Sequence, residues 1–228
     1  MAFAVKNHVL YKDGKPVAQA PTPNIGGALK PSLLVMHYTA SQSAKSAVSW
    51  LCNPNAKASA HLVVDLDGTA TQLAPFNRVA WHAGKSLWKR RANCNAFSIG
   101  VEMTNAGPLT KRANGKFVDA YGKSVAANGV AMLAHKFDKG AEKPWMAYPA
   151  AQIAAAVEIA QTLVAAYGIG EIAGHDDIAH ALGCLVVHRD DVHRLQHWVK
   201  VRRLAVSQHH HYRVLFCAGI EAAAQNFN

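Results

Sequence analysis

Ser32-Leu-Leu-Val-Met-His37-Tyr38-Thr39 is the stretch on which the fold turns: an unbroken apolar run that closes in polar side chains. A run of this length reads as a strand buried on both faces, as in the middle of a sheet covered by helices. Downstream, Ser43 to Leu51 spaces Ala44, Ala47, Val48 and Leu51 along one helical face, with Ser43 as a candidate N-cap. His61 to Leu66 and Thr69 to Leu73 flank Asp67-Gly68, a pair that tolerates the positive φ of a tight turn, and predict a hairpin. Phe97 to Thr104 predicts another strand, with Ile99, Val101 and Met103 on one face and Ser98, Gly100 and Glu102 on the other. Residues 105–149 are a long Gly- and Lys-rich excursion. Ala150 to Tyr167 is an alanine-rich helix stopped by Gly168-Ile-Gly170. Upstream, residues 1–31 are dotted with prolines and read as a short hairpin or arm. Strands and helices mixed in this order predict an α/β or α+β layer architecture.

Composition narrows the function. Half of the 228 residues are hydrophobic, enough for a sizeable core. Lys and Arg number 24 against 14 Asp and Glu, a formal charge of +10, which suits an anionic partner: nucleic acid, an acidic wall polymer or a carboxylate-bearing substrate. No stacking-aromatic or recognition-helix motif accompanies the charge, so nucleic acid is not expected. No apolar run reaches the length of a membrane span, and the N-terminus lacks the pattern of a secretory signal. The four cysteines are scattered with no Cys-x-x-Cys pair, which favours a reduced, cytoplasmic protein. Of the 13 histidines, eight fall at or after position 175, so the histidine surplus belongs to the C-terminal quarter.

Three residues carry candidate chemistry. His37 sits near the end of an otherwise apolar strand, and His175 lies in Gly174-His175-Asp176-Asp177-Ile178 just after the long helix. A neutral imidazole ligates zinc well, and Asp176 or Asp177 could orient His175 from behind; each histidine also fits a purely structural role. Glu102 lies opposite the apolar set of its strand beside Gly100. There it fits a general base of raised pKa, or a salt-bridge partner.

Together, Val35-Met-His37-Tyr-Thr39, Ser59-Ala-His61-Leu-Val-Val-Asp-Leu-Asp67-Gly68, Arg78-Val-Ala-Trp81-His82-Ala-Gly84, Asn95-Ala-Phe-Ser98-Ile99-Gly100-Val101-Glu102 and Gly174-His175-Asp-Asp-Ile178-Ala179 resemble the zinc-dependent N-acetylmuramoyl-L-alanine amidases. That domain is shared by cytoplasmic muropeptide amidases, phage lysozyme-like amidases and peptidoglycan recognition proteins. The resemblance implies a central mixed β-sheet flanked by helices, with a zinc ion at one end of a groove. It implies His37 and His175 as zinc ligands and Glu102 as the catalytic carboxylate. Branches that use a tyrosine have it just before the histidine of the Ser-Ala-His block, where this chain has Ala60. Trp81, His82 and Gly84 are implied to shape the groove wall that binds substrate. The implied reaction cuts the amide between N-acetylmuramic acid and L-alanine of muropeptides. Lys85, Lys89, Arg90 and Arg91, clustered beside Trp81 and Trp88, fit contacts for peptide carboxylates or equally a solvated loop.

After Ala179 the pattern changes. The family continues with a Pro-Gly-Arg-Lys-x-Asp-Pro-Gly-like stretch that supplies an oxyanion-stabilising lysine and a third zinc ligand. This chain has His180-Ala-Leu-Gly183-Cys184-Leu185-Val-Val-His188-Arg189, with Gly183 and Leu185 at those two positions. Residues 1–179 are therefore read as the amidase-like domain, with 1–31 its arm, and 180–228 as an atypical tail. Three readings stay open. Cys184, or else His188 or His180, replaces the third ligand with Arg189 as the cation; the chain keeps a muropeptide-binding groove without catalysis; or the reading frame changes near residue 180.

Overall fold

The computed structural model describes residues 2–135 and 141–179. Its frame is a six-stranded sheet of β1 (Ala18–Gln19), β2 (Leu33–Tyr38), β3 (Leu62–Val64), β4 (Ala70–Gln72), β5 (Ser98–Met103) and β6 (Glu171–Gly174). The spatial order is β6-β2-β5-β3-β4-β1, parallel throughout except for the antiparallel β3–β4 hairpin. This is the central mixed α/β sheet that the resemblance implies. The unbroken apolar run of β2 is explained by its place: Leu33 to His37 are all buried, between β5 on one side and β6 on the other.

Parallel register divides the side chains between two faces. Glu102 pairs with His37 across β5–β2, Gly100 with Val35, and Val101 with Met36. The face that carries Leu34, Met36, Ile99, Val101, Leu62, Val64 and Ile172 packs on helix α2 (Ala150–Tyr167) through Ala155, Ala156, Ile159, Ala160, Leu163 and Val164. Gln152 pins the start of α2 to the sheet, its amide donating to the carbonyls of Val64 (3.0 Å) and Thr104 (2.9 Å). Gly168, at φ +64°, ends the helix in the left-handed conformation open to glycine. By length and composition α2 also passes for a membrane-crossing helix, which qualifies the expectation that no such stretch exists. Its burial against the sheet accounts for that apolarity.

The opposite face is split. One apolar cluster gathers Leu33, Val35, Ala83, Cys94, Phe97, Ala173 and Ile178. Another gathers Leu51, Ala60, Val63 and Leu73 beneath helix α1 (Ala44–Leu51). Ser43 caps α1 as predicted, its side chain accepting from the Ser46 amide, and Gly68 takes φ +81° in the β3–β4 turn. Between these clusters the face carries His37, Gly100 and Glu102.

Two segments differ from their sequence reading. Residues 2–31 are integrated into the domain: Phe3–Lys6, Val9–Lys12 and Lys15–Pro16 form a meander docked on α2, and β1 follows in the main sheet. The excursion is also structured. Thr110–Lys111, Phe117–Val118 and Ser124–Val125 form a small sheet, and Val130–Ala134 pairs with Glu142–Met146. Strands of two residues leave no periodicity to read; only their turn glycines, Gly115 and Gly122 at φ +80° and +79°, mark them.

Candidate active site

His37 ends the buried part of β2, and His175 opens the short helix α3 (His175–Ile178) directly after β6. Because β6 and β2 pair side by side, residues 138 apart in sequence meet. The two Nδ1 atoms stand 2.8 Å apart, and the far side of His37, its Nε2, lies 2.9 Å from Nδ1 of His82. His82 Nε2 in turn reaches the Ser98 hydroxyl (3.2 Å) and carbonyl (3.4 Å). A chain of contacts thus runs His175–His37–His82–Ser98. Asn95 fixes its middle, because the Asn95 side-chain carbonyl accepts from the backbone N–H groups of both His82 and Ala83. Gly100 leaves the space: a Cβ there would lie 2.3 Å from Cγ of His82. His61 stands apart, Nδ1 accepting from the Gly100 N–H and Nε2 donating to the Arg78 carbonyl, a staple between strand segments.

Burial sets the charge of these groups. It holds His37 well below the ordinary imidazole range, with repulsion from His82, His175 and His61 adding to it. It pulls His61 down to about 4 and His82 down to about 3, and lowers His175 too. Glu102 shows the converse: burial alone raises its carboxyl to about 7. Its Oε2 is buried with no hydrogen-bond partner among the described residues, an arrangement that leaves one strong acceptor uncommitted.

These shifts predict an acid-sensitive fold. Unfolding lets each imidazole take a proton below its ordinary 6.5, so each shifted histidine removes about 1.4 kcal/mol per pH unit until its own folded value is reached. Glu102 opposes this between 4.5 and about 7, where the folded state holds the extra proton. Four imidazoles outweigh one carboxyl. The urea midpoint of metal-free protein is expected to fall from pH 6.5 to pH 5, and an unchanged midpoint would contradict the burial of these rings.

Two neutral imidazole nitrogens converging in a dry site are a donor set that zinc takes. Ligand nitrogens on one tetrahedral zinc stand about 3.3 Å apart, so His37 and His175 need part by only about half an ångström to fit. Among the described residues no group of three His, Cys, Asp or Glu side chains is arranged to hold a metal ion. Cys184, with His180, His188 and Arg189, lies outside the described residues, as does the whole 180–228 tail. Of the carboxylates beside His175, Asp177 accepts from the Gly174 N–H (2.9 Å) and Asp176 lies 3.5 Å from the ring of buried His135.

A cleft of about 690 Å³ opens on the other side of Glu102. Tyr38, Ser46 and Trp50 line it from β2 and α1, and Asp119, Tyr121 and Lys123 from the excursion. Gln42 ties the two walls together, donating to Asp119 Oδ2 at 2.8 Å. Trp50 and Tyr121 are 60% and 79% exposed, unusual for large aromatics. Sequence reading singled out neither. The signal for Trp50 is a tryptophan between the inward positions Ala47 and Leu51, which places it on the outward side of α1.

The residues expected on the groove wall part company. Trp81 is at the surface, and Gly84 lies in an exposed loop at φ +52°. His82 is only 8% exposed and turned inward to His37. The basic cluster forms a hairpin of Leu87–Trp88 and Arg91–Ala92 beside α3. In it Lys89 ion-pairs with Glu171, Arg91 lies 3.8 Å from the Phe97 ring centroid, and Lys85 and Arg90 are exposed.

Comparison with known proteins adds the following. The family model for N-acetylmuramoyl-L-alanine amidase matches residues 27–191, past Cys184 and His188. The chain is 32% identical over 114 residues to the 1,6-anhydro-N-acetylmuramyl-L-alanine amidase AmpD of Citrobacter freundii, covering 42% of this chain and 58% of that protein. A crystal structure of a Se-Met AmpD derivative shares the fold at TM-score 0.58 and 21% identity, over 86% of this chain and 98% of that one. The amidase AmiD from E. coli, in complex with the substrate anhydro-N-acetylmuramic acid-L-Ala-D-gamma-Glu-L-Lys, aligns at TM-score 0.50 and 25% identity, over 89% of this chain and 65% of that one. The chain thus spans a little over half the length of the AmpD relative it matches.

Proposed function

The chain belongs to the N-acetylmuramoyl-L-alanine amidase family, and on that premise we propose that it hydrolyses the amide joining N-acetylmuramic acid to the L-alanine of a muropeptide. The observation that carries this reading is the pairing of Glu102 with His37 across β5–β2: a carboxyl with a buried, uncommitted oxygen shares one sheet face with His37, whose ring converges with that of His175 at the start of α3. Likeness to relatives named for a 1,6-anhydro sugar supports a muropeptide that ends in such a sugar as substrate.

His37 and His175 would hold zinc through Nδ1, with Cys184 as the third ligand. Zinc bound there supplies a Lewis acid for the scissile carbonyl and makes water acidic enough to lose a proton near neutrality. Glu102, raised to about 7, takes the proton of the attacking water and returns it to the amide nitrogen as the C–N bond breaks. The products are the free sugar carboxylate and a peptide with a free L-alanine amine.

The cleft between α1 and the excursion receives the substrate, with Trp50 and Tyr121 offering flat faces to its sugar. Trp50→Ala is expected to raise KM about three- to tenfold while leaving kcat within about a factor of two. An unchanged KM would remove Trp50 from the binding surface. The reaction itself is tested by incubating the zinc-loaded protein with anhydro-N-acetylmuramyl tripeptide and weighing the products. Free tripeptide is expected, and cleavage at any other bond would refute the assignment.

A further inference from the structure

The Ser98 hydroxyl has one proton to give, and its surroundings say where it goes. Its Oγ lies 2.6 Å from the Cys94 carbonyl oxygen, which can only accept. The hydroxyl therefore donates to Cys94 and offers lone pairs to Nε2 of His82, 3.2 Å away. The Ser98 carbonyl, 3.4 Å from the same nitrogen, is likewise an acceptor. Both partners require His82 to carry its proton on Nε2. In a neutral ring this leaves Nδ1 bare, and that atom faces Nε2 of His37 at 2.9 Å. The proton of that contact belongs to His37, so the His37 proton is also on Nε2 and its Nδ1 carries the lone pair, which in the metal-free protein accepts from His175 Nδ1. That lone pair points at Nδ1 of His175, the second nitrogen of the proposed metal pair.

We infer that His82 is a positioning residue: through the Cys94–Ser98 hydrogen bond it holds His37 in the tautomer whose Nδ1 is available to a metal. The inference rests on the zinc reading above for its purpose, though the tautomer is a property of the protein itself. The surrounding structure is built to hold the ring in place. Asn95 anchors its backbone, Gly100 makes room for its ring, and the sheet lies beneath. A ligand histidine whose second nitrogen is fixed in this way binds metal more tightly, and loss of such a partner costs roughly 10- to 100-fold in affinity.

Two measurements test this. Ring nitrogen NMR of the metal-free protein should show His37 and His82 both protonated on Nε2; either ring protonated on Nδ1 would overturn the inference. Zinc affinity, read by chelator competition, should fall roughly 10- to 100-fold in His82→Phe, which keeps a flat ring but no acceptor. His82→Asn, whose side-chain oxygen can stand near the place of Nδ1, should recover most of that loss. Undiminished affinity in His82→Phe, or equal weakening in both variants, would overturn the inference by making the ring a packing element. If the unsubstituted protein failed to bind zinc, the proposed function would fall while the NMR result still judged the tautomer. If it bound zinc tightly but did not cut muropeptide, only the substrate assignment would fail.

Discussion

Glu102→Gln is expected to keep zinc and the fold while lowering kcat by roughly 10²- to 10⁴-fold, the range for removal of a positioned general base. Glutamine matches the carboxylate in shape but cannot take a proton from water. The same change should stabilise the metal-free protein in mild alkali. Burial raises the Glu102 carboxyl from 4.5 to about 7, so above that pH its ionised form costs the fold on the order of 3 kcal/mol, which a neutral amide avoids. A variant both more stable and nearly inactive separates chemistry from folding. Full activity in Glu102→Gln would remove Glu102 from the mechanism.

His37→Ala should have a different profile. Deleting one of two converging imidazoles leaves His175 alone among the described ligands, and zinc content should drop below about a tenth of an equivalent, with turnover lost alongside it. Glu102→Gln, by contrast, leaves both imidazoles intact. Elemental analysis of the two variants beside the parent distinguishes a ligand from a base. Retention of a full equivalent of zinc by His37→Ala would show that the metal is held elsewhere.

Much of this arrangement is legible in the sequence. The strand around His37 declared itself because burial on both faces demands an unbroken apolar run. The strand around Glu102 did so by alternation, since one face meets α2 and the other the site. Ser43, Gly68 and Gly168 marked ends and turns because each answers a local backbone requirement. The register that sets Glu102 beside His37 was not legible: it depends on how a long crossover brings two parallel strands together, which no local pattern encodes.

His82 shows the same limit at a single residue. Its block marks it as part of the site, and the groove wall was the expected place. A loop has no period to say which way a side chain faces, and the inward turn of His82 depends on Asn95, thirteen residues on, and on the missing side chain of Gly100. Trp50 and Tyr121 carry no sequence mark for a related reason. Their partnership across the cleft comes from the folding of the excursion, whose strands are too short to announce themselves.

The central claim, that this protein cuts the sugar–peptide amide with zinc held by His37 and His175, is most directly tested by one titration. Zinc is added stepwise to the metal-free protein while release of stem peptide from anhydro-N-acetylmuramyl tripeptide is followed. The account predicts no release without metal and a rate that climbs to a plateau at about one equivalent. Full activity in the metal-free protein, or a protein saturated with zinc that releases no peptide, would contradict it.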